Sequence, residues 1–353
     1  MIRVLLVDDS DVSLMVLREI LEKEPDIFVV GKAKSGKEAV YLASRVSPDI
    51  ITMDINMPDM DGFTTTRQIM ERTPVPIIIV SGIDNLEEIR ASFRAVEAGA
   101  LAVFRKPPAL NDPGYENAAQ ELVYAVKTFS EVKVIKRRTN NLVLQKETDN
   151  SLSIPIQISR QIRAIVIGAS TGGPQVIQEI LKNIPGKLSL PLVMVQHMSP
   201  GFIEGLALWL NDSTGFPVRI AKEGEQAQPG TLYLAPDKKH TGITADLRFT
   251  LSSSQPEHNL RPSVSYLFRS AAKNLGPYVI GILLSGMGSD GAEELLQIRQ
   301  GGGCTIIQDK ESSFVYGMPG AAELINAGQF SLSPSEIASF LNQYLIGGMS
   351  DGN

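Results

Sequence analysis

A single cysteine, Cys304, stands among the 353 residues. No internal disulfide can therefore form, and no cysteine metal cluster is available. Cys304 lies in Gly303-Cys304-Thr305-Ile306-Ile307, which reads as a buried strand with the thiol as a small core group. Histidine is limited to three residues, and nothing near them makes a case for zinc. Long apolar runs are missing too: the longest, near Pro76–Val80 and Val279–Leu284, are far too short to span a bilayer. Excess positive charge is absent, since the net charge is -6 and the pI about 5.3. Nucleic-acid binding leans on clustered Lys and Arg opposite phosphates, so no nucleic-acid partner is expected. The N-terminus begins a strand within three residues, leaving no room for a signal peptide. A cytoplasmic protein, not inserted in a membrane and monomeric, is the expectation. What remains is an ordinary globular composition, 43% apolar and 20% charged. The length exceeds what one core serves and predicts two domains.

Residues 1 to about 129 alternate short apolar runs with amphipathic stretches. Val4–Val7, Phe28–Gly31, Ile50–Met53, Ile77–Val80 and Leu101–Phe104 read as strands. Between the first two, Val12, Val16, Leu17, Ile20 and Leu21 share one helical face. Ser35, with Glu38 three residues on, predicts a capping box. The alternation predicts an α/β fold, a parallel sheet with helices on both faces. In such sheets the crevice lies outside the carboxyl ends of the strands.

The reactive side chains fall at those ends. Asp8 and Asp9 follow the first strand, Asp54 the third, Ser81 the fourth and Lys106 the fifth. Three converging carboxylates repel one another and call for a cation, and hard oxygen ligands favour Mg²⁺. Lys106 adds a positive charge for an incoming phosphoryl oxygen. The words Leu6-Val7-Asp8-Asp9-Ser10, Met53-Asp54-Ile55-Asn56-Met57-Pro58-Asp59-Met60-Asp61-Gly62, Val80-Ser81-Gly82 and Phe104-Arg105-Lys106-Pro107 resemble the receiver domain of bacterial response regulators. The resemblance implies a flavodoxin-like fold in which Asp54 accepts a phosphoryl group from a histidine kinase. It also implies Mg²⁺ held by Asp8, Asp9 and Asp54, phosphate contacts from Ser81 and Lys106, and a switch aromatic at Phe104.

From 130 to 160 the periodicity fades. Lys133, Lys136, Arg137 and Arg138 precede a polar run, Gln145–Ser153, and then Pro155, which predicts a solvated linker. Beyond it, the β-branched run Ala164–Ile167 leads into Gly168-Ala169-Ser170-Thr171-Gly172-Gly173, and a helical pattern starts at Pro174. The spacing satisfies the G-x-S-x-G of a nucleophile elbow. It equally suits a phosphate cradle made of backbone amides at a helix N-terminus.

Two further strands bear on that choice. Leu192–Val195 is followed by His197, and Val279–Leu284 by Ser285-Gly286-Met287-Gly288-Ser289-Asp290-Gly291. A lone histidine is more often a core or capping residue, and Asp290 alone reads as a helix cap. Together, Ser170, His197 and Asp290 supply a nucleophile, a base and a carboxylate to orient that base, all at one sheet edge. The order Ser, His, Asp differs from that of the α/β-hydrolases, but triads are recognised by geometry.

These words, with Val195-Gln196-His197-Met198, Tyr233-Leu234-Ala235-Pro236, Arg261-Pro262-Ser263 and Gly317-Met318-Pro319, resemble the catalytic domain of the CheB family of protein-glutamate methylesterases, a Rossmann-like domain here spanning 161–348. Receiver, linker and this domain in this order are the architecture of that family. The resemblance implies hydrolysis of glutamyl methyl esters on methyl-accepting chemoreceptors, extending to glutamine deamidation, at the periphery of receptor arrays. Ser170 would attack, His197 would move the proton and Asp290 would orient His197. The backbone amide of Met287 would serve the oxyanion, Thr171 would line the site, and no cofactor would be needed for the ester chemistry.

Two positions depart from the family pattern: Ser265, where aspartate is common, and Gly320, where a basic residue is common. Neither is expected to touch the triad. Of the other conspicuous residues, His240 is expected on an exposed turn, His258 in a polar stretch, and Trp209 in helix packing. A phosphorylation-controlled docking protein without catalysis is the alternative from another class, against which the intact Ser-His-Asp set weighs. A DNA-binding regulator is disfavoured by the acidic charge.

Overall fold

The computed structural model describes residues 1–82, 86–132, 134 and 161–344. The basic cluster and polar run expected of the linker lie outside the described residues.

The first domain alternates strand and helix throughout: β1 (Ile2–Val7), α1 (Asp11–Leu21), β2 (Ile27–Ala33), α2 (Gly36–Val46), β3 (Ile50–Met53), α3 (Gly62–Arg72), β4 (Ile77–Ser81), α4 (Leu86–Ala98), β5 (Ala102–Arg105) and α5 (Tyr115–Phe129). The sheet order is β2-β1-β3-β4-β5, with every pairing parallel. That is the flavodoxin-like order, with its switch point between β1 and β3. Alternate strand residues serve the two faces: Val4, Leu6, Ile78 and Val80 pack under α1 and α5, while Leu5, Val7, Ile51 and Ile79 pack under the other helices. Five predicted strands match five observed ones to within a few residues.

Two local expectations need correcting. The buried face of α1 is Leu14, Leu17, Ile20 and Leu21; Val12 is 66% exposed, because it starts the helix on the turn facing away from the sheet. At Ser35 the hydroxyl accepts from the Glu38 amide (3.3 Å), but Glu38 Oε2 accepts from the Lys34 amide (2.8 Å), one residue ahead of the cap itself.

The second domain comprises β6 (Ala164–Ala169), α6 (Gly173–Lys182), β7 (Leu192–Gln196), α7 (Ile203–Thr214), β8 (Val218–Ile220), β9 (Leu232–Leu234), a hairpin of β10 (His240–Ile243) and β11 (Phe249–Ser252), α8 (Val264–Leu275), β12 (Val279–Leu283), α9 (Ala292–Gln300), β13 (Cys304–Gln308), α10 (Met318–Leu324), β14 (Phe330–Leu332) and α11 (Pro334–Leu341). Its seven-stranded sheet runs β14-β13-β12-β6-β7-β9-β8 and is parallel throughout. Strand β6 is the first in sequence and sits between β7 and β12, so chain order reverses there. That is the crevice-forming switch point of a doubly wound sheet.

Cys304 is buried in β13 as expected, and burial pushes its thiol up to about 12. His240 is not exposed: it is fully buried in the β10–β11 hairpin, stacked on Tyr266 with ring centroids 4.8 Å apart. The short polar run around it marks the hairpin's approach to α8 rather than a free turn.

The two domains share a hydrophobic core. The cluster under the receiver sheet continues through Ile89 and Phe93 of α4 into Phe202, Leu206 and Trp209 at α7. Phe93 stacks on Trp209 (5.5 Å between centroids, 22° between planes) and meets Phe202 edge-on at 6.5 Å. Such pairs contribute about 0.5–1.5 kcal/mol each beyond their area burial. Trp209 is thus helix packing of a particular kind, across the domain seam. Among the described residues, no helix is long and apolar enough to cross a membrane.

Candidate active site

The receiver pocket follows from the strand ends. Asp8 follows β1, and its Oδ1 accepts from the Ser10 amide (3.0 Å), which also orders the start of α1. Asp54 follows β3, with its Oδ1 taking the Ile55 amide at 2.8 Å. Lys106 Nζ lies 2.7 Å from Asp8 Oδ2 and 3.0 Å from Asp54 Oδ2. Ser81, at the end of β4, is buried. Asp8, Asp9 and Asp54 each offer a carboxylate oxygen, all within 4.8 Å of one another. Three hard anionic donors at one point, one of them exposed, fit an octahedral Mg²⁺ that keeps several waters. Phe104 is half-buried and meets Phe129 edge-on at 6.2 Å.

Burial raises the Asp54 carboxyl above its ordinary value; the Lys106 charge lowers it and the Asp8 charge raises it again. A carboxyl with a raised folded-state value adds stability only while protonated, below its unfolded value near 3.9, and that contribution is lost as pH rises through the folded value. At neutral pH the ionised Asp54 is therefore a strain on the fold. Asp54→Asn is expected to raise the neutral-pH melting midpoint of the unphosphorylated protein while abolishing phosphate uptake. A midpoint that falls in calorimetry at pH 7 would count against this.

The second site lies at the carboxyl ends of β6, β7 and β12. Ser170 leaves β6 in a tight turn: its amide donates to Ser285 O (3.0 Å), its carbonyl accepts from the Gly173 amide (2.9 Å), and Gly172 takes the left-handed φ of 79°. His197 follows β7, where its amide donates to Ala169 O at 2.9 Å. Its Nε2 lies 2.9 Å from Asp290 Oδ2. With Nε2 engaged there, Nδ1 is the ring nitrogen left for Ser170. Ser170 and His197 line one cleft, and no hydrogen bond joins their side chains among the described residues.

Asp290 is gripped more tightly than the sequence suggests. Its Oδ1 accepts from Ser263 Oγ (2.9 Å) and the Ser265 amide (3.0 Å), and its Oδ2 from the Val264 amide (2.7 Å). It thus caps the N-terminus of α8 from another element, where the helix dipole favours a negative charge. Burial acts to raise its carboxyl, but the hydrogen bond and charge of His197, with the Ser265 contacts, outweigh it and hold the group well below the usual carboxylate range. Asp290 is ionised at any working pH.

Ser265 corrects one expectation. Its backbone amide donates to Asp290 and its Oγ accepts from the adjacent Gly291 amide at 2.9 Å, so the position touches the triad's carboxylate through the main chain while the departing side chain holds the residue next to it. A second carboxylate there would sit beside Asp290. Gly320 lies against the Tyr316 ring instead. Nothing local at Ser263–Ser265 marks Asp290, 25 residues beyond Ser265, as their target.

Met287 and Thr171 line the same cleft. The loop holding Met287 is fixed on both sides: the Gly286 amide donates to Val315 O, and Gly286 O accepts from the Gly317 and Met318 amides. Among the described residues, no protein acceptor takes the Met287 amide. The cleft, of about 430 Å³, has its opposite wall built by the receiver, from Phe104, Glu121, Tyr124 and Thr128. Ser199 Oγ donates to Glu121 Oε1 (2.9 Å), Gln175 Nε2 to Ala100 O (2.8 Å), and Thr128 Oγ1 to Met287 Sδ (3.6 Å). His258 is also on the cleft wall, and it is exposed.

Comparison with known proteins agrees with this layout. The CheB methylesterase family profile matches residues 165–341, and the response regulator receiver domain profile matches residues 4–112. A protein-glutamate methylesterase/protein-glutamine glutaminase of Methanospirillum hungatei is 77% identical over 341 residues, covering 97% of each chain. One from Syntrophus aciditrophicus is 46% identical over 342 residues, again covering 97% of each. The crystal structure of the Thermotoga maritima CheB methylesterase catalytic domain covers 52% of this chain and 98% of its own, at 34% identity and a TM-score of 0.50. The chain belongs to the CheB methylesterase family, with a response regulator receiver domain ahead of its methylesterase domain.

Proposed function

We propose that this protein removes methyl groups from glutamyl methyl esters of methyl-accepting chemoreceptors, and deamidates receptor glutamines, under control of a histidine kinase that phosphorylates Asp54. Residues 1–129 receive the signal, 130–160 link, and 161–348 hydrolyse, with the protein acting as a cytoplasmic monomer and without nucleic acid.

The observation that carries the reading is the pair His197 Nε2–Asp290 Oδ2 at 2.9 Å, facing Ser170 across a cleft. Ser170 Oγ adds to the ester carbonyl carbon as His197 Nδ1 takes its proton. The new imidazolium is stabilised by the anionic Asp290. The Met287 amide donates to the oxyanion, a contact that typically lowers such barriers by about 3 kcal/mol. Collapse expels methanol, or ammonia from an amide, which leaves with the proton from Nδ1. Water then repeats the sequence on the acyl-enzyme and frees the glutamate.

In the receiver, Asp8, Asp9 and Asp54 would hold Mg²⁺, which when bound offsets the negative charge of the transferring phosphoryl group. Asp54 Oδ2 is the acceptor, and Lys106 and Ser81 take up the phosphoryl oxygens. Once Lys106 pairs with phosphate, its hold on Asp8 and Asp54 changes. Phe104 of β5, which meets Phe129 in the cleft wall, lies two residues before Lys106.

The test is methanol release from a glutamate-methylated receptor fragment, with and without acetyl phosphate and Mg²⁺. A donor-driven rise is expected in the wild type and none in Asp54→Ala. An Asp54→Ala protein that responds like the wild type would sink the signalling half of the proposal.

A further inference from the structure

We infer that Gln196 is a positioning residue that sets the spacing of nucleophile and base. It is the last residue of β7 and is buried. Its Nε2 donates to the main-chain carbonyl of Ser170 at 2.7 Å and to that of His197 at 2.9 Å. One planar NH₂ group therefore ties the two residues between which the proton must pass. Both partners are carbonyl oxygens, which only accept, so the amide's orientation is fixed by chemistry.

Ordinary backbone pairing leaves this tie necessary. Strands β6 and β7 are in register to Ala169↔Gln196, and the ladder stops there. Ser170 and His197 are the first residues past it: the His197 amide still donates to Ala169 O and the Ser170 amide turns to Ser285 O, but among the described residues no backbone hydrogen bond joins Ser170 to His197. The Gln196 carboxamide adds a side-chain link to the Ser170 carbonyl just beyond the last paired residues.

The position is costly in ways that packing does not repay. Gln196 Oε1 is buried and has no hydrogen-bond partner among the described residues. It lies against Gly173, whose missing side chain makes the room: a Cβ there would collide with Gln196 Oε1 and come within 2.8 Å of the Ala169 Cβ. An unpaired buried carbonyl and a glycine in the first turn of α6 both lower stability. A methionine of similar length would fill the space without the orphan acceptor. An unsatisfied buried group in a native fold calls for an explanation, and a positioning role supplies one.

The inference rests on Ser170 and His197 as nucleophile and base, and the test separates the two. Full-length protein activated with acetyl phosphate and Mg²⁺ is assayed for methanol release as wild type, Gln196→Met, Gln196→Glu and Ser170→Ala. Gln196→Met keeps the volume and removes both donors. Its kcat is expected to fall on the order of 100-fold, the size of effect that a misplacement near 1 Å produces. KM should stay within about twofold, and the pH inflection of kcat/KM should stay in place, since the His197–Asp290 pair is untouched. Gln196→Glu, closer in shape and without the donors, should show the same split and serves if the methionine variant misfolds. A residue that merely packs would leave the methionine variant's kcat unaltered. A kcat within threefold of wild type, or a loss carried in KM alone, overturns the inference. A Ser170→Ala protein that keeps its rate instead sinks the triad reading beneath it.

Discussion

Alanine at Ser170 is expected to lower receptor demethylation by on the order of 10⁵-fold or more, and alanine at His197 by a similar factor. The hydroxyl is what bonds to the acyl carbon, and the imbalance without it cannot be made up by cleft binding alone. Because the two act as one proton-transfer unit, the double variant should be no slower than the worse single one, within a few fold. Independent contributions would instead multiply. Measuring kcat for both singles and the double decides the matter, and a further thousandfold loss in the double would mean that the residues do not act together. Asp290→Asn is expected to cost about 10⁴-fold by leaving the imidazole unoriented. Here it should also weaken α8, whose first amides donate to that carboxylate.

The second large effect concerns the seam. Gly205 of α7 lies against Ile89 of α4, and a Cβ there would collide with Ile89 Cγ2 and come within 2.9 Å of its Cβ. Ile89 is β-branched and stiff, so it cannot swing away cheaply. Overpacking of this kind costs about 1–3 kcal/mol. That cost falls on the docked state alone, while alanine favours α7 itself by about 0.8–1.0 kcal/mol. If the docked receiver blocks Ser170, Gly205→Ala should therefore raise the undocked population, and with it the unphosphorylated rate, by about 5- to 150-fold. Removal of residues 1 to about 150 sets the ceiling. A basal rate equal to the wild type's, in a variant shown to be folded, would mean that the receiver wall does not limit access to Ser170.

Much of this was legible in the sequence because each reactive residue sits directly after an apolar run. Asp8, Asp54, Ser170 and His197 are fixed by strand ends, and a parallel sheet gathers strand ends at one edge whatever the side chains. Residues whose roles depend on a neighbour far along the chain were not legible. Ser265 reads as an ordinary helix residue until its amide is found on Asp290. Trp209 reads as helix packing, but no periodicity shows that the helix it meets is the one carrying Phe93. His240 was misread because a hairpin of only four residues per strand carries little alternation to betray burial.

The continuous core across the seam has a consequence for the lifetime of the signal. If activation swings the receiver off the cleft, it uncovers Phe93, Phe202 and Trp209, which are sealed in this structure. The working form of the enzyme would then also be its stickier form. A cell that held the whole population switched on would be keeping aromatic surface in water, where chains adhere to each other. On that footing brief activation would suit this molecule better than a sustained one, and solubility would set a limit on signalling that no change at Asp54 or Ser170 would lift.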